Sequence, residues 1–170
     1  MNQSPQTAPE ETMTNIAAAV ELGRSGQKVQ ARDALTALWD QIGAAGDALH
    51  RCALAHYLAD LQESTEAELV WDERALAAVS SLTDERAQQH HHSLQVQRFL
   101  PSLHLNLADD HRRLNNPAKA REHLTTAKTL VQHLTDDAYG NMIRGGIQHV
   151  TEALNAGSTQ RLESHPSSHG

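Results

Sequence analysis

Twelve histidines stand in a chain of 170 residues, so metal ligation is the first chemistry to weigh. The run His90-His91-His92 is the most conspicuous. Successive helical residues point about 100° apart, so three in a row do not converge on one ion. They read as a solvated helix face. His104 and His111 share a face, but two turns separate them by roughly 10.5 Å of rise. Zinc binds nitrogen at about 2.0–2.1 Å, so one ion cannot take both, and they read as packing residues. His56 and Asp60 are four apart, close enough for two ligands. A site there needs a third ligand from another helix, and the structural reading is a His–Asp hydrogen bond. A metal-dependent enzyme built on these histidines is thus a minor alternative. There is no HExxH helix, no GxSxG nucleophile turn and no phosphate loop. The single cysteine, Cys52, excludes an intrachain disulfide framework and a Cys-rich zinc module. Within "CALAHYLA" it reads as a small buried residue. Trp39 and Trp71 read as core anchors. No catalytic residue, metal site or cofactor is expected.

The bulk properties narrow the class further. Aromatic residues make up 3% of the chain and alanine is abundant, which favours closely packed helices over sheets. A net charge of -7 with a pI near 5.9 argues against a general nucleic-acid or anionic-membrane binder. No apolar run is long enough to span a bilayer. The start "MNQSPQTAPEE" lacks the basic and apolar segments of a signal peptide, so the expected location is cytoplasmic.

The elements that must position any site are helices throughout. Gly and Pro act as punctuation in "GRSGQ", "GAAGD" and "NNP". The pattern predicts helices over 10–25, 28–43, 47–62, 65–81, 84–115, 117–135 and 137–155. Asn116 and Pro117 fit a helix start. Thr65 to Glu68 has capping-box form, and Thr83 with Asp84 and Glu85 marks another start. The helix over 84–115 is read as continuous but kinked at Pro101, with a fresh helix beginning at Pro101 as the alternative. Residues 1–10 and 157–170 read as disordered tails around one helical domain, 11–156.

One spacing recurs. Leu107-Ala108 is followed by His111, then by Ala120 and Leu124. Leu54-Ala55, Leu58, Ala67 and Trp71 repeat the layout, and Ala18-Ala19, Leu22, Ala31 and Leu35 form a third copy. Small residues let paired helices approach, while the large ones fill the gaps one turn away. The layout resembles the tetratricopeptide repeat (TPR), a 34-residue helical hairpin. Its tyrosine site holds Leu22, Leu58 and His111 here. Ala31 to Ala67 spans 36 residues and Ala67 to Ala120 spans 53, which places the extra length in the long helix near 84–115.

The resemblance implies an all-α fold, a TPR-like αα-hairpin superhelix of about three hairpins. Residues 137–155 would cap it, with Met142, Ile143, Ile147, Val150 and Leu154 at helical spacing. It also implies a concave groove lined by Cys52, His56, Ala59 and Asp60 from the second hairpin. The third would add Ser102, Leu105, Asp109, Arg112 and Arg113, with Asn106 beside them. Asp109 and Leu105 stand where a carboxylate clamp would carry Asn and Lys, which argues against that mode. The expected function is a non-enzymatic adaptor that binds a protein or peptide segment in this groove. The alternative is a regulatory domain that senses a peptide or ligand and acts on a separate output protein. Homo-oligomers can form through the stack ends. Gly145-Gly146 in the last helix is read as a place of close approach by a helix or partner.

Overall fold

A computed structural model describes residues 9–80 and 90–162, with side chains over 10–80 and 98–162. The expected tails at 1–8 and 163–170, and the helix start at Thr83, lie outside the described residues. Among the described residues the chain is all-helical, with no strand. The helices are α1 (Pro9–Arg24), α2 (Lys28–Ile42), α3 (Ala48–Asp60), α4 (Thr65–Ser80), α5 (His90–Arg113), α6 (Pro117–Leu130) and α7 (Ala138–Asn155). A short 3-10 turn, Val131–His133, follows α6. No described helix is long and apolar enough to cross a membrane.

The turns follow the punctuation. Gly26 takes a φ of 91° after α1 and Asn115 a φ of 59° after α5. Glycine and asparagine adopt this left-handed region most readily. Asp47 caps α3, its Oδ1 accepting from the backbone N–H groups of Leu49 and His50. Asp137 caps α7 by accepting from the Gly140 N–H at 2.8 Å. The α4 start differs from the expected capping box. Ser64 is the cap, its Oγ accepting from the Ala67 N–H. Thr65 and Glu68 are drawn away to Arg113 instead. Helix α5 runs through Pro101 without a break, while residues 84–89 of the expected helix are not described.

Packing pairs α1 with α2, α3 with α4 and α5 with α6, and α7 lies on α5 and α6. Of the recurring small and large residues, Ala19, Ala31 and Leu35, then Leu54, Ala55 and Leu58, then Leu107, Ala108, Ala120 and Leu124 are buried. Ala18 is exposed, Leu22, Ala67 and Trp71 are half-buried, and α4 buries Glu68, Asp72, Ala75 and Val79 instead. The first apolar cluster joins Ile16, Ala19, Leu35, Leu54 and Leu58. The last joins Leu105, Ala108, Ala120 and Leu124 to Ile143, Ile147, Val150 and Leu154. Trp39 and Trp71 meet edge to face at 5.1 Å between them, and Arg51 and Arg74 lie over their rings at 4.1 and 4.4 Å. Gly145 has open space where a Cβ would stand, so among the described residues no neighbouring helix lies against that position. Gly140 is the tight position, because a Cβ would sit 2.2 Å from the Thr135 carbonyl oxygen.

Candidate functional site

Helix α5 presents two buried polar faces, and the expected groove residues lie on them. One face carries Ser102, Leu105, Asp109 and Arg112, at the i, i+3, i+4 spacing of a single stripe. All four are buried. Leu105 belongs to the apolar cluster shared with α6 and α7. The other face carries Leu103, Asn106 and Asp110, and it meets α3 and α4. Cys52 packs there beside Ala75, Val79 and Leu103. His56 is buried with its ring 6.2 Å from that of Phe99. The groove expected from sequence is therefore not an open trough lined by these side chains. Cys52, His56, Ser102, Leu105, Asn106, Asp109 and Arg112 are interior, and the Arg113 side chain is only 5% exposed. The physical reason is that α7 and the following segment cover one side of α5, while α3 and α4 cover the other.

Asp60 is partly open. It borders a polar hollow of about 280 Å³ together with Lys28, Arg32, Gln62, Glu63 and Arg161.

The arginines are held by a shared carboxylate. Asp109 Oδ1 accepts from Arg112 Nε at 3.0 Å and Nη2 at 2.6 Å. Asp109 Oδ2 accepts from Arg113 Nε at 3.0 Å. Arg113 reaches onward to Glu68 at 2.9 Å, Asp110 at 2.9 Å and the Thr65 hydroxyl at 3.0 Å. Burial opposes the Arg113 charge, but Glu68 and Asp109 outweigh it and raise its pKa. Such charge-assisted forks fix geometry as well as sign.

Arg112 also grips backbone. Its Nη1 donates to the Ser158 carbonyl at 2.7 Å and its Nη2 to the Gln160 carbonyl at 2.9 Å. Residues 157–162, expected to open a disordered tail, are thus laid back against α5. Leu162 packs on the α5–α6–α7 cluster and Arg161 reaches the polar hollow. We refer to this segment as the strap.

Beneath Arg113 lies a carboxylate group that the sequence reading did not single out. Glu68, Asp72 and Asp110 each place an oxygen within 4.8 Å of the others. Both Asp72 oxygens and Asp110 Oδ2 are buried without a hydrogen-bond partner, as is the Asn106 amide. Burial, then the Asp110 charge, pushes the Asp72 carboxyl well above its usual range. Burial and Glu68 raise Asp110 to about 7. Burial, with Asp72 nearby, lifts the Cys52 thiol to about 12, so it is no nucleophile at neutral pH.

The histidines form a separate cluster between α5 and α6. His104 Nδ1 is 3.1 Å from His123 Nδ1, and the His111 ring stacks on His123 at 5.6 Å. His104 and His111 thus pack the hairpin, as their spacing implied. Burial, and the neighbouring His123, lower His104 to about 4.

These features define an all-helical protein with a buried charge seam and a backbone-gripping arginine. Comparison with known proteins adds no name to that class: no family model, curated protein or solved structure matches the chain.

Proposed function

We propose that the chain is a non-enzymatic, TPR-like helical-repeat module that binds an extended segment of a protein or peptide along α5. The repeat reading is supported by three successive helix pairs, with Ala19, Ala31 and Leu35, then Leu54, Ala55 and Leu58, then Leu107, Ala108, Ala120 and Leu124 buried. The single observation that carries the binding function is the Arg112 grip on alternate carbonyls of the strap. Alternate carbonyls on one side are what an extended chain offers. Asp109 holds the guanidinium in place beforehand, which lowers the ordering cost of binding. A partner segment would take the strap's place and continue toward the hollow at Asp60, whose mixed charges suit a polar sequence. The second reading is a sensor whose output is a separate protein. The direct join between strap and α7 favours it, since displacing one pulls on the end of the other.

The test uses a chain ending at Asn155 and a labelled peptide of residues 156–162. Saturable binding is expected, at least tenfold tighter than to the full chain, whose own strap competes at high effective concentration. Arg112→Lys keeps the charge but loses the fork, and should weaken capture tenfold or more. A folded truncated chain that ignores the peptide would refute the reading. Affinity capture from the native cell with the truncated and full chains then identifies the natural segment.

A further inference from the structure

The charge seam is not balanced by the residues around it. Among the described residues, four buried carboxylates, Glu68, Asp72, Asp109 and Asp110, face two guanidinium groups, Arg112 and Arg113. Arg112 spends its donors on Asp109 and the strap, and Arg113 on Asp109, Asp110, Glu68 and Thr65. None reaches Asp72, which is 0% exposed and whose polar neighbours in the seam are the Glu68 and Asp110 carboxyls. A buried carboxylate with no cation beside it is among the costliest arrangements a protein can hold. Asn106 adds an independent sign. It is 1% exposed, its amide has no partner, and it stands one turn before Asp110 on the same face of α5.

We propose that Glu68, Asp72 and Asp110 bind one hard divalent cation, of the calcium or manganese type, in the seam between α4 and α5. The donors are all oxygens, which selects hard ions over zinc or copper. A spread of 4.8 Å or less between ligand oxygens fits opposite ligands on an ion with bonds of about 2.3–2.6 Å. With all four carboxyls ionised the seam would carry two negative charges beyond its arginines, which one divalent ion cancels. The Asn106 carbonyl oxygen is the neutral donor type that such ions accept beside carboxylates. The ion would join α4 to α5 beneath Arg113, and so hold the helix from which Arg112 grips the strap. This inference is independent of what the strap or a partner binds.

The experiment strips the full chain with EDTA and titrates calcium, manganese and magnesium chlorides separately by calorimetry, with manganese also followed by paramagnetic resonance. One ion per chain is expected from calcium or manganese. At about a hundredfold excess over Kd, the melting temperature should rise by roughly 5–10 °C. Asp72→Asn should abolish both effects, while Asp40→Asn, at an exposed position, should leave them intact. Should Asp72→Asn fail to fold, Asn106→Ala serves instead and should weaken binding tenfold or more. Lack of stoichiometric binding by calcium and manganese overturns the proposal. So does binding that survives Asp72→Asn in a folded chain, or Asn106→Ala where that variant serves. A protonated-carboxyl infrared band in a chain that binds no ion would show that Asp72 and Asp110 share a proton instead.

Discussion

Two regions meet on α5 and are built on opposite principles. The wedge of α5, α6 and α7 is apolar: Leu105, Leu124, Ile143, Val150 and Leu154 interlock with little polar content. The seam of α4 and α5 buries Glu68, Asp72, Asp110 and the Arg113 side chain, and Arg113 ties it through Asp109 to Arg112 on the strap side of α5. The wedge is held by area removed from water, a non-directional force that scales with size. The seam is held by matched geometry, and each group is costly unless its partner stays. One helix therefore carries a tolerant face and an unforgiving one.

The sharpest way to break this contrast is Arg113→Ala. It leaves Glu68 and Asp110 without their guanidinium while Asp109 keeps Arg112, and we expect a loss of about 3–5 kcal/mol in urea unfolding. Arg113→Lys should recover only part of it, because a point charge cannot bridge three acceptors in a plane. In the wedge, Ile143→Ala should cost roughly 2–4 kcal/mol. That loss should be insensitive to salt, whereas the seam variants should respond to pH. Next is Gly140→Ala, which seats or unseats α7 on the wedge. The added methyl meets the Thr135 carbonyl, and a loss of about 1–3 kcal/mol is expected.

The smallest effect should come from the histidine rim of the wedge. The folded value for His104, about 4, lies below the ordinary 6.5, so the unfolded chain takes up the proton first on acidification. Stability is then full above about pH 6.5 and falls as pH drops toward 4. His104 is partly open to solvent, so a change on the order of 1 kcal/mol is expected after screening. His104→Gln should flatten that slope in thermal melts taken across the range.

Much of the architecture was legible in the residues. Glycine and "NNP" punctuation located the turns, because left-handed backbone is tolerated at few residue types, and Gly26 and Asn115 occupy it. The small–large spacing picked out buried residues on α2, α3, α5 and α6, but on α4 the buried stripe runs through Glu68, Asp72, Ala75 and Val79 rather than Ala67. The cap of α4 was misplaced by one residue, because Thr65 and Glu68 satisfy a local rule that a distant Arg113 overrides. The groove residues were recognised as a group, but their enclosure depends on α7 and the strap, which local periodicity does not reveal. The carboxylate group was missed although a signal existed. Glu68 and Asp72 continue the buried stripe of Ala75 and Val79 on α4, and acids on an apolar stripe require a partner. His123 was likewise overlooked, since its neighbours lie 12 and 19 positions away in the chain.

The Arg112 grip touches peptide oxygens two residues apart and no side chain of the strap. Such a contact measures the pitch of a strand and is blind to its letters. On the proposed reading, what discriminates one partner segment from another must come from the positions just beyond Gln160, where Arg161 meets the hollow and Leu162 meets the wedge. The residues that meet those two positions are therefore where that reading places a change of partner preference that leaves the clamp undisturbed.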